Sequence, residues 1–261
     1  MQILMPIKTA GERAPLFCIN GEPLKMAKIF DEDQPLYGLC NAYNPNFKPP
    51  ARIEQLAEIY VREMRQVQPE GPYHICGFSV GGLIAYEMAR QLVSKGQQVQ
   101  YLALIDPVFS SHKWSRVKWM MNAFTVEGRR LDAISYFIKR GIQAAASRIH
   151  TFCRVSKSWA YELLGKDLPI DLRRVRHAGA IRASHHSYIY KPFAGKGIIF
   201  HPEMSEDDSE SYIRFWNSVL TEGATVHTMK GIKLHLEFLA EPHLTRDTET
   251  INEDMGKLSN S

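Results

Sequence analysis

Short apolar runs alternate along the chain with segments whose apolar positions recur every three or four residues. That alternation predicts a mostly parallel sheet covered by helices. Pro15-Leu-Phe-Cys-Ile-Asn20 and Pro35-Leu-Tyr-Gly-Leu-Cys40 read as short buried strands, Tyr73-His-Ile-Cys76 as a third and Val99–Ile105 as a fourth. Over Ala51–Val67, Ile53, Leu56, Ile59, Tyr60 and Met64 share one helix face, and Pro69, Gly71 and Pro72 punctuate its end. A long helix is expected from about Val80 to Lys95, closed by Gly96. Beyond Asp106-Pro107 the rhythm changes. From about Phe109 to Tyr190 only helix-like segments occur, around Trp114–Met121, Leu131–Ile149 and Leu172–Tyr190. Strands resume at Gly197–His201 and Ala224–Met229, separated by a helix bearing Tyr212, Ile213, Trp216 and Leu220, and a final helix starts near Leu236. The expected organisation is a sheet-and-helix core over 1–108, a helical insertion over 109–190, the rest of the core over 191–248 and a flexible polar tail over 249–261.

Composition narrows the class. With 261 residues, 44% of them apolar, the chain can bury a substantial single core. No apolar run approaches the roughly 18 residues a membrane span needs, and the start MQILMPIKTAGERAP lacks a signal-peptide pattern, so a cytoplasmic protein is expected. Cys18, Cys40, Cys76 and Cys153 are scattered, form no C-x-x-C pair and read as reduced thiols; no metal site is expected. The net charge of +4 conceals an asymmetry: Ser110–Arg182 holds fifteen Lys and Arg against five Asp and Glu. A solvated helical surface explains this, and so does a docking face for an acidic partner. No aromatic-basic RNA motif or zinc-finger spacing points to nucleic acid.

Candidate chemistry centres on Gly77-Phe-Ser79-Val-Gly81, a G-x-S-x-G string with an apolar strand before it and a long helix after it. That context defines the nucleophile elbow of an α/β-hydrolase fold with Ser79 as nucleophile. The turn is so tight that side chains two positions to either side would collide, hence Gly77 and Gly81. The backbone N–H of Val80, at the helix N-terminus, is placed to stabilise an oxyanion. A serine hydroxyl needs a base, and in this fold the chain order is Ser, acid, His. His235 follows the last strand on a loop and is the candidate base, with His243 its rival further into the final helix. Asp106 ends the strand after the nucleophile helix; Glu203, Asp207 and Asp208, after the next strand, compete with it on position, but Asp106 directly terminates an apolar strand and should be better buried. His185 and His186 are assigned to the insertion.

The stretch from Ile7 to Pro107 resembles the thioesterase domain of nonribosomal peptide and polyketide synthases. The resemblance is carried by Pro15-Leu-Phe-Cys-Ile, Asp33-Gln-Pro-Leu-Tyr-Gly-Leu39, Ile53-Glu-Gln-Leu-Ala57 and Val67-Gln-Pro-Glu-Gly-Pro-Tyr73. Gly77-Phe-Ser-Val-Gly-Gly-Leu-Ile-Ala-Tyr-Glu-Met-Ala-Arg90 and Leu102-Ala-Leu-Ile-Asp106 are its most specific segments, and Gly231…His235…Leu239…Glu241-Pro-His-Leu244 is similar to the family's ending. The resemblance implies Asp106 as the acid, a helical lid and no bound cofactor. It further implies a substrate carried on the phosphopantetheine of an acyl or peptidyl carrier protein, an acidic partner that suits the basic lid. The implied reaction is release of an acyl, polyketide or peptidyl chain by hydrolysis or cyclisation. A small-molecule serine esterase or acyltransferase, and a non-catalytic carrier-binding module, are the alternatives. One departure concerns the second oxyanion donor. Where the family usually carries a His-Pro-x-Gly-Gly-like loop, this chain has Asn20-Gly21-Glu22-Pro23, leaving a backbone N–H of Gly21 or Glu22 as candidate. A second departure is a two-residue excess between Gly231 and His235.

Overall fold

A computed structural model describes residues 3–20, 23–40, 44, 47–48, 50–108, 152–161, 163–203, 206–232 and 235–259. Its sheet has seven strands: β1 (Leu4–Lys8), β2 (Leu16–Ile19), β3 (Leu36–Leu39), β4 (Tyr73–Phe78), β5 (Val99–Ile105), β6 (Gly197–Pro202) and β7 (Ala224–Met229). Their order is β1-β3-β2-β4-β5-β6-β7; β1 pairs antiparallel with β3 and every other pairing is parallel. A helical turn α1 (Pro23–Met26) follows β2, and α2 (Ile53–Met64) and α3 (Val80–Ser94) flank β4. Helical residues 152–161 form α4, followed by α5 (Ile170–Ser187), α6 (Glu206–Val219) and α7 (His243–Ser259). Among the described residues no helix is long and apolar enough to cross a membrane.

The central strands formed where the apolar runs lie because parallel strands covered on both faces must be apolar on both. Side chains alternate between two cores. Phe17, Ile19, Ile75 and Leu104 join Tyr60, Leu83, Tyr86 and Trp216 on one face. Leu16, Cys18, Cys76 and Ala103 join Phe238, Leu244, Ile251 and Met255 on the other.

Three expectations need correction or extension. Strand β1 was not anticipated; it is a half-buried edge strand containing Pro6, which an edge tolerates because no neighbour needs its missing N–H. The final helix expected from near Leu236 is in two parts, a 3-10 turn over His235–Leu239 and then α7, so His243 opens α7 rather than lying further into one helix. The tail expected to be flexible from 249 is helical through Ser259, because Leu244, Ile251 and Met255 form a buried stripe against the sheet. Within the insertion, α5 matches the helix expected at Leu172–Tyr190 and docks near α2: the Ser184 hydroxyl donates to Ala51 O (2.7 Å) and His177 Nε2 meets Phe47 O at 3.1 Å. The helices expected around Trp114–Met121 and Leu131–Ile149 lie outside the described residues.

Candidate active site

Ser79 stands between the end of β4 and the start of α3, with φ 58° and ψ −124°. A non-glycine residue in that backbone region is held there by its surroundings. Its N–H donates to Ile105 O (2.8 Å), and its carbonyl accepts from the N–H of Gly82 (2.9 Å). The two flanking glycines are required by contact. A Cβ on Gly77 would lie 2.3 Å from Gly81 O, and one on Gly81 would lie 2.2 Å from Ile19 O. Val80 opens α3, so its N–H belongs to the turn that has no intrahelical acceptors and carries the positive end of the helix dipole.

Asp106 leaves β5, the strand beside β4, in a left-handed conformation with φ 40°. Its N–H donates to Phe200 O at 2.7 Å. The next residue on that neighbouring strand is His201, which is fully buried. Its Nδ1 meets the Pro202 carbonyl at 2.6 Å; a carbonyl only accepts, so Nδ1 carries the hydrogen and Nε2 accepts from the Thr228 hydroxyl (3.0 Å). Burial lowers the His201 pKa, opposed by the Pro202 carbonyl and the Asp106 charge. Burial likewise raises the Tyr212 phenol well above its usual range, and the Asp106 charge pushes the same way. Asp106 therefore sits close to two buried polar rings at the C-terminal edge of the sheet. Among the alternative acids, Glu203 is exposed just past β6.

His235 opens the 3-10 turn that follows β7. The described geometry covers its backbone position, on the connection beyond the sheet's C-terminal edge. His243 packs against that connection, its Cε1 3.7 Å from where a Cβ on Gly231 would lie. Gly21 and Glu22 fall outside the described residues; Asn20, just before them, has φ 55°.

One residue near the site escaped the sequence reading. Asp247, on α7, is 2% exposed and lines a cavity with Asn20, Gly77, Phe78, Ile105 and Phe238, directly behind the elbow. Burial raises its pKa from 3.8 to about 6, against the opposing pull of Arg246 and His243. Arg246 bridges Asp247 Oδ1 (3.2 Å) and the Lys230 carbonyl (2.8 Å), so this carboxylate is tied to the chain that leads to His235. Its only sequence signal was the i,i+4 spacing from His243. Among the described residues no cluster of His, Cys, Asp and Glu could hold a metal ion.

A serine raised on a strained strand-turn-helix junction, with a carboxylate on the adjacent strand end, defines an α/β-hydrolase-type architecture. The thioesterase domain family matches residues 27–232, and the chain belongs to that family. Among curated relatives it is similar to malpinin synthetase of Mortierella alpina (38% identical over 113 residues, 40% of this chain and 1% of the relative). It is also similar to a dimodular nonribosomal peptide synthase of Bacillus subtilis (34%, 41% of this chain and 5% of the relative). The chain thus spans only a small fraction of the length of these synthetases. Among solved structures, a four-domain nonribosomal peptide synthetase bound to AMP and glycine superposes with a TM-score of 0.66 at 19% identity, covering 96% of this chain and 20% of that one. The NocB thioesterase domain of the nocardicin cluster superposes at 0.63 and 20% identity, covering 97% of this chain and 99% of that one. At these identities the superpositions show the fold.

Proposed function

We propose that this chain releases an acyl, polyketide or peptidyl chain from the phosphopantetheine thioester of a carrier protein through a Ser79 acyl-enzyme. The observation that carries the reading is the Ser79 conformation, φ 58° at the head of α3, in a chain of the thioesterase domain family. Ser79 Oγ attacks the thioester carbonyl while His235 takes its proton; Asp106 orients the imidazole and stabilises its charged form. The C–S bond breaks, and the proton passes from His235 to the departing pantetheine thiolate. In the second half His235 deprotonates a water, or a hydroxyl or amine of the acyl chain itself. Attack on the acyl-enzyme then returns the proton to Ser79 Oγ and frees an acid or a ring. The N–H of Val80 receives the oxyanion in both halves, and a backbone N–H at Gly21 or Glu22 serves as second donor. The carrier docks on the basic face of the lid region over 109–190, where acidic and basic surfaces complement each other.

Covalent labelling tests the reading. A serine-directed fluorophosphonate is expected to add once per chain, and Ser79→Ala to abolish the adduct; labelling that survives that substitution refutes the nucleophile. An acyl-pantetheine thioester is then compared with the matching oxygen ester. Much faster turnover of the oxygen ester would sink the thioesterase assignment in favour of a small-molecule esterase.

A further inference from the structure

The three residues that carry the chain from β5 toward the insertion are held at three separate points. The Asp106 N–H donates to Phe200 O at 2.7 Å. Pro107 lies against α3, its Cβ 3.1 Å from where a Cβ on Gly82 would stand. The Val108 carbonyl accepts the Tyr190 hydroxyl at 2.7 Å, across 82 residues of sequence. The first two holds come from the sheet and the nucleophile helix. The third comes from the segment by which the chain returns from the insertion.

Tyr190 is itself fixed. Its ring centroid lies 5.3 Å from Tyr86, 5.1 Å from Tyr188, 5.0 Å from Phe215 and 5.6 Å from Trp216. On one side of it the Tyr188 hydroxyl donates to Glu87 Oε2 (2.7 Å); on the other the Tyr86 hydroxyl donates to Lys191 O (2.6 Å). Both anchors, Tyr86 and Glu87, lie on α3, the helix headed by Ser79. The hydroxyl of Tyr190 therefore refers the position of Val108 to the nucleophile's own helix.

Asp106 needs such a reference. Its left-handed backbone (φ 40°) is strained relative to ordinary extended geometry, so a slackened span would let it relax and swing the carboxylate. We propose that Tyr190 is a positioning residue for the acid: its hydroxyl, through Val108, holds the Asp106 carboxylate in register with Ser79 and His235. This rests on the assignment of Asp106 as the acid in the proposed function.

The test is a double-mutant cycle on the full chain, read as the second-order rate of Ser79 phosphonylation by a small alkyl fluorophosphonate and as kcat and KM for an acyl-pantetheine. Tyr190→Phe deletes one oxygen and keeps the ring among its four neighbours. It is expected to slow labelling and kcat about tenfold with KM unchanged, since small misplacements of catalytic groups have costs of that order. In an Asp106→Asn background the same substitution is expected to change the rate less than twofold, because its effect passes through that carboxylate. Pro107→Ala slackens the span from the other side and carries the same expectations, so either variant closes the cycle. A Tyr190→Phe rate equal to that of the unsubstituted chain overturns the proposal, and so does a loss of equal size in both backgrounds. Failure of the unsubstituted chain to label would instead overturn the serine-hydrolase reading beneath it.

Discussion

Arg90 grips Glu87 through two parallel hydrogen bonds, Nε to Oε2 at 2.8 Å and Nη2 to Oε1 at 2.7 Å, on a turn of α3 where the Glu87 side chain is fully buried. Gln91 Nε2 and the Tyr188 hydroxyl supply two further donors. A buried carboxylate with four donors is satisfied, but removing it strands a guanidinium and a phenol. Glu87→Ala is expected to destabilise the fold by about 3–5 kcal/mol, a fall in Tm of roughly 10 °C for a chain of this size. Glu87→Gln keeps the shape and should cost less. Thermal melts of both variants check this; equal melting points for Glu87→Ala and the unsubstituted chain would exclude a structural role for the cluster.

At the elbow, Gly81→Ala should be more damaging than a surface change of the same size. The new methyl group would meet two pieces of neighbouring chain, Ile19 O at 2.2 Å and the Cβ of Asn20 at 2.9 Å. Neither is the free end of a flexible side chain, so β2 and α3 must move apart, at a cost of about 1–3 kcal/mol or more. Because that shift displaces both Ser79 and the loop after β2, the fluorophosphonate labelling rate should fall at least tenfold by the same geometric sensitivity that governs any reacting group. Labelling kinetics of folded Gly81→Ala at the unsubstituted rate would show that the elbow tolerates the methyl group.

How much of this was legible before the structure depended on whether the physical requirement was local. Leu16–Ile19, Tyr73–Phe78 and Tyr101–Ile105 are buried on both faces, so their apolar runs announced them. Gly77 was legible because it answers to Gly81, four residues on; the need for Gly81 comes from Ile19 on the neighbouring strand, and only the strand-turn-helix string around Ser79 signalled it. Strand β1 was not, since Pro6 and half-burial erased its alternation. The helical tail was missed because three buried apolar positions, Leu244, Ile251 and Met255, are sparse among polar residues. Tyr190 and Asp247 could not be singled out because their significance lies in partners far away in sequence: the Val108 carbonyl for one, the cavity behind Phe78 for the other.

Asp247 makes stability depend on pH in an unusual direction. Its pKa is raised from 3.8 to about 6 by burial, so the folded state disfavours the charged form. Below pH 3.8 the carboxyl is neutral in both folded and unfolded chains and costs nothing. As pH rises from about 4 to about 6 the unfolded chain loses the proton first, and the penalty grows to at most about 3 kcal/mol above pH 6. Asp247→Asn mimics the neutral form. Its Tm should exceed that of the unsubstituted chain at pH 8 by a few degrees, and the difference should vanish near pH 4. A difference that stays constant between those pH values would show that the carboxylate is not penalised in the fold.

The proposed carrier contact is electrostatic and can be separated from the chemistry. Lys157, on α4, and Lys166, just beyond it, are exposed within the stretch where basic residues outnumber acidic ones threefold. Such rim charges act on encounter and register more than on the bound transition state. The pair of substitutions Lys157→Glu and Lys166→Glu should raise KM for a carrier-bound acyl substrate about three- to tenfold, leave kcat unchanged, and lose most of its effect at high salt as screening shortens the reach of the charges. A short acyl-pantetheine, which lacks the carrier, should be turned over as before. If both substrates suffer alike, these lysines support the fold or the acyl site; if neither does, the carrier approaches over another face.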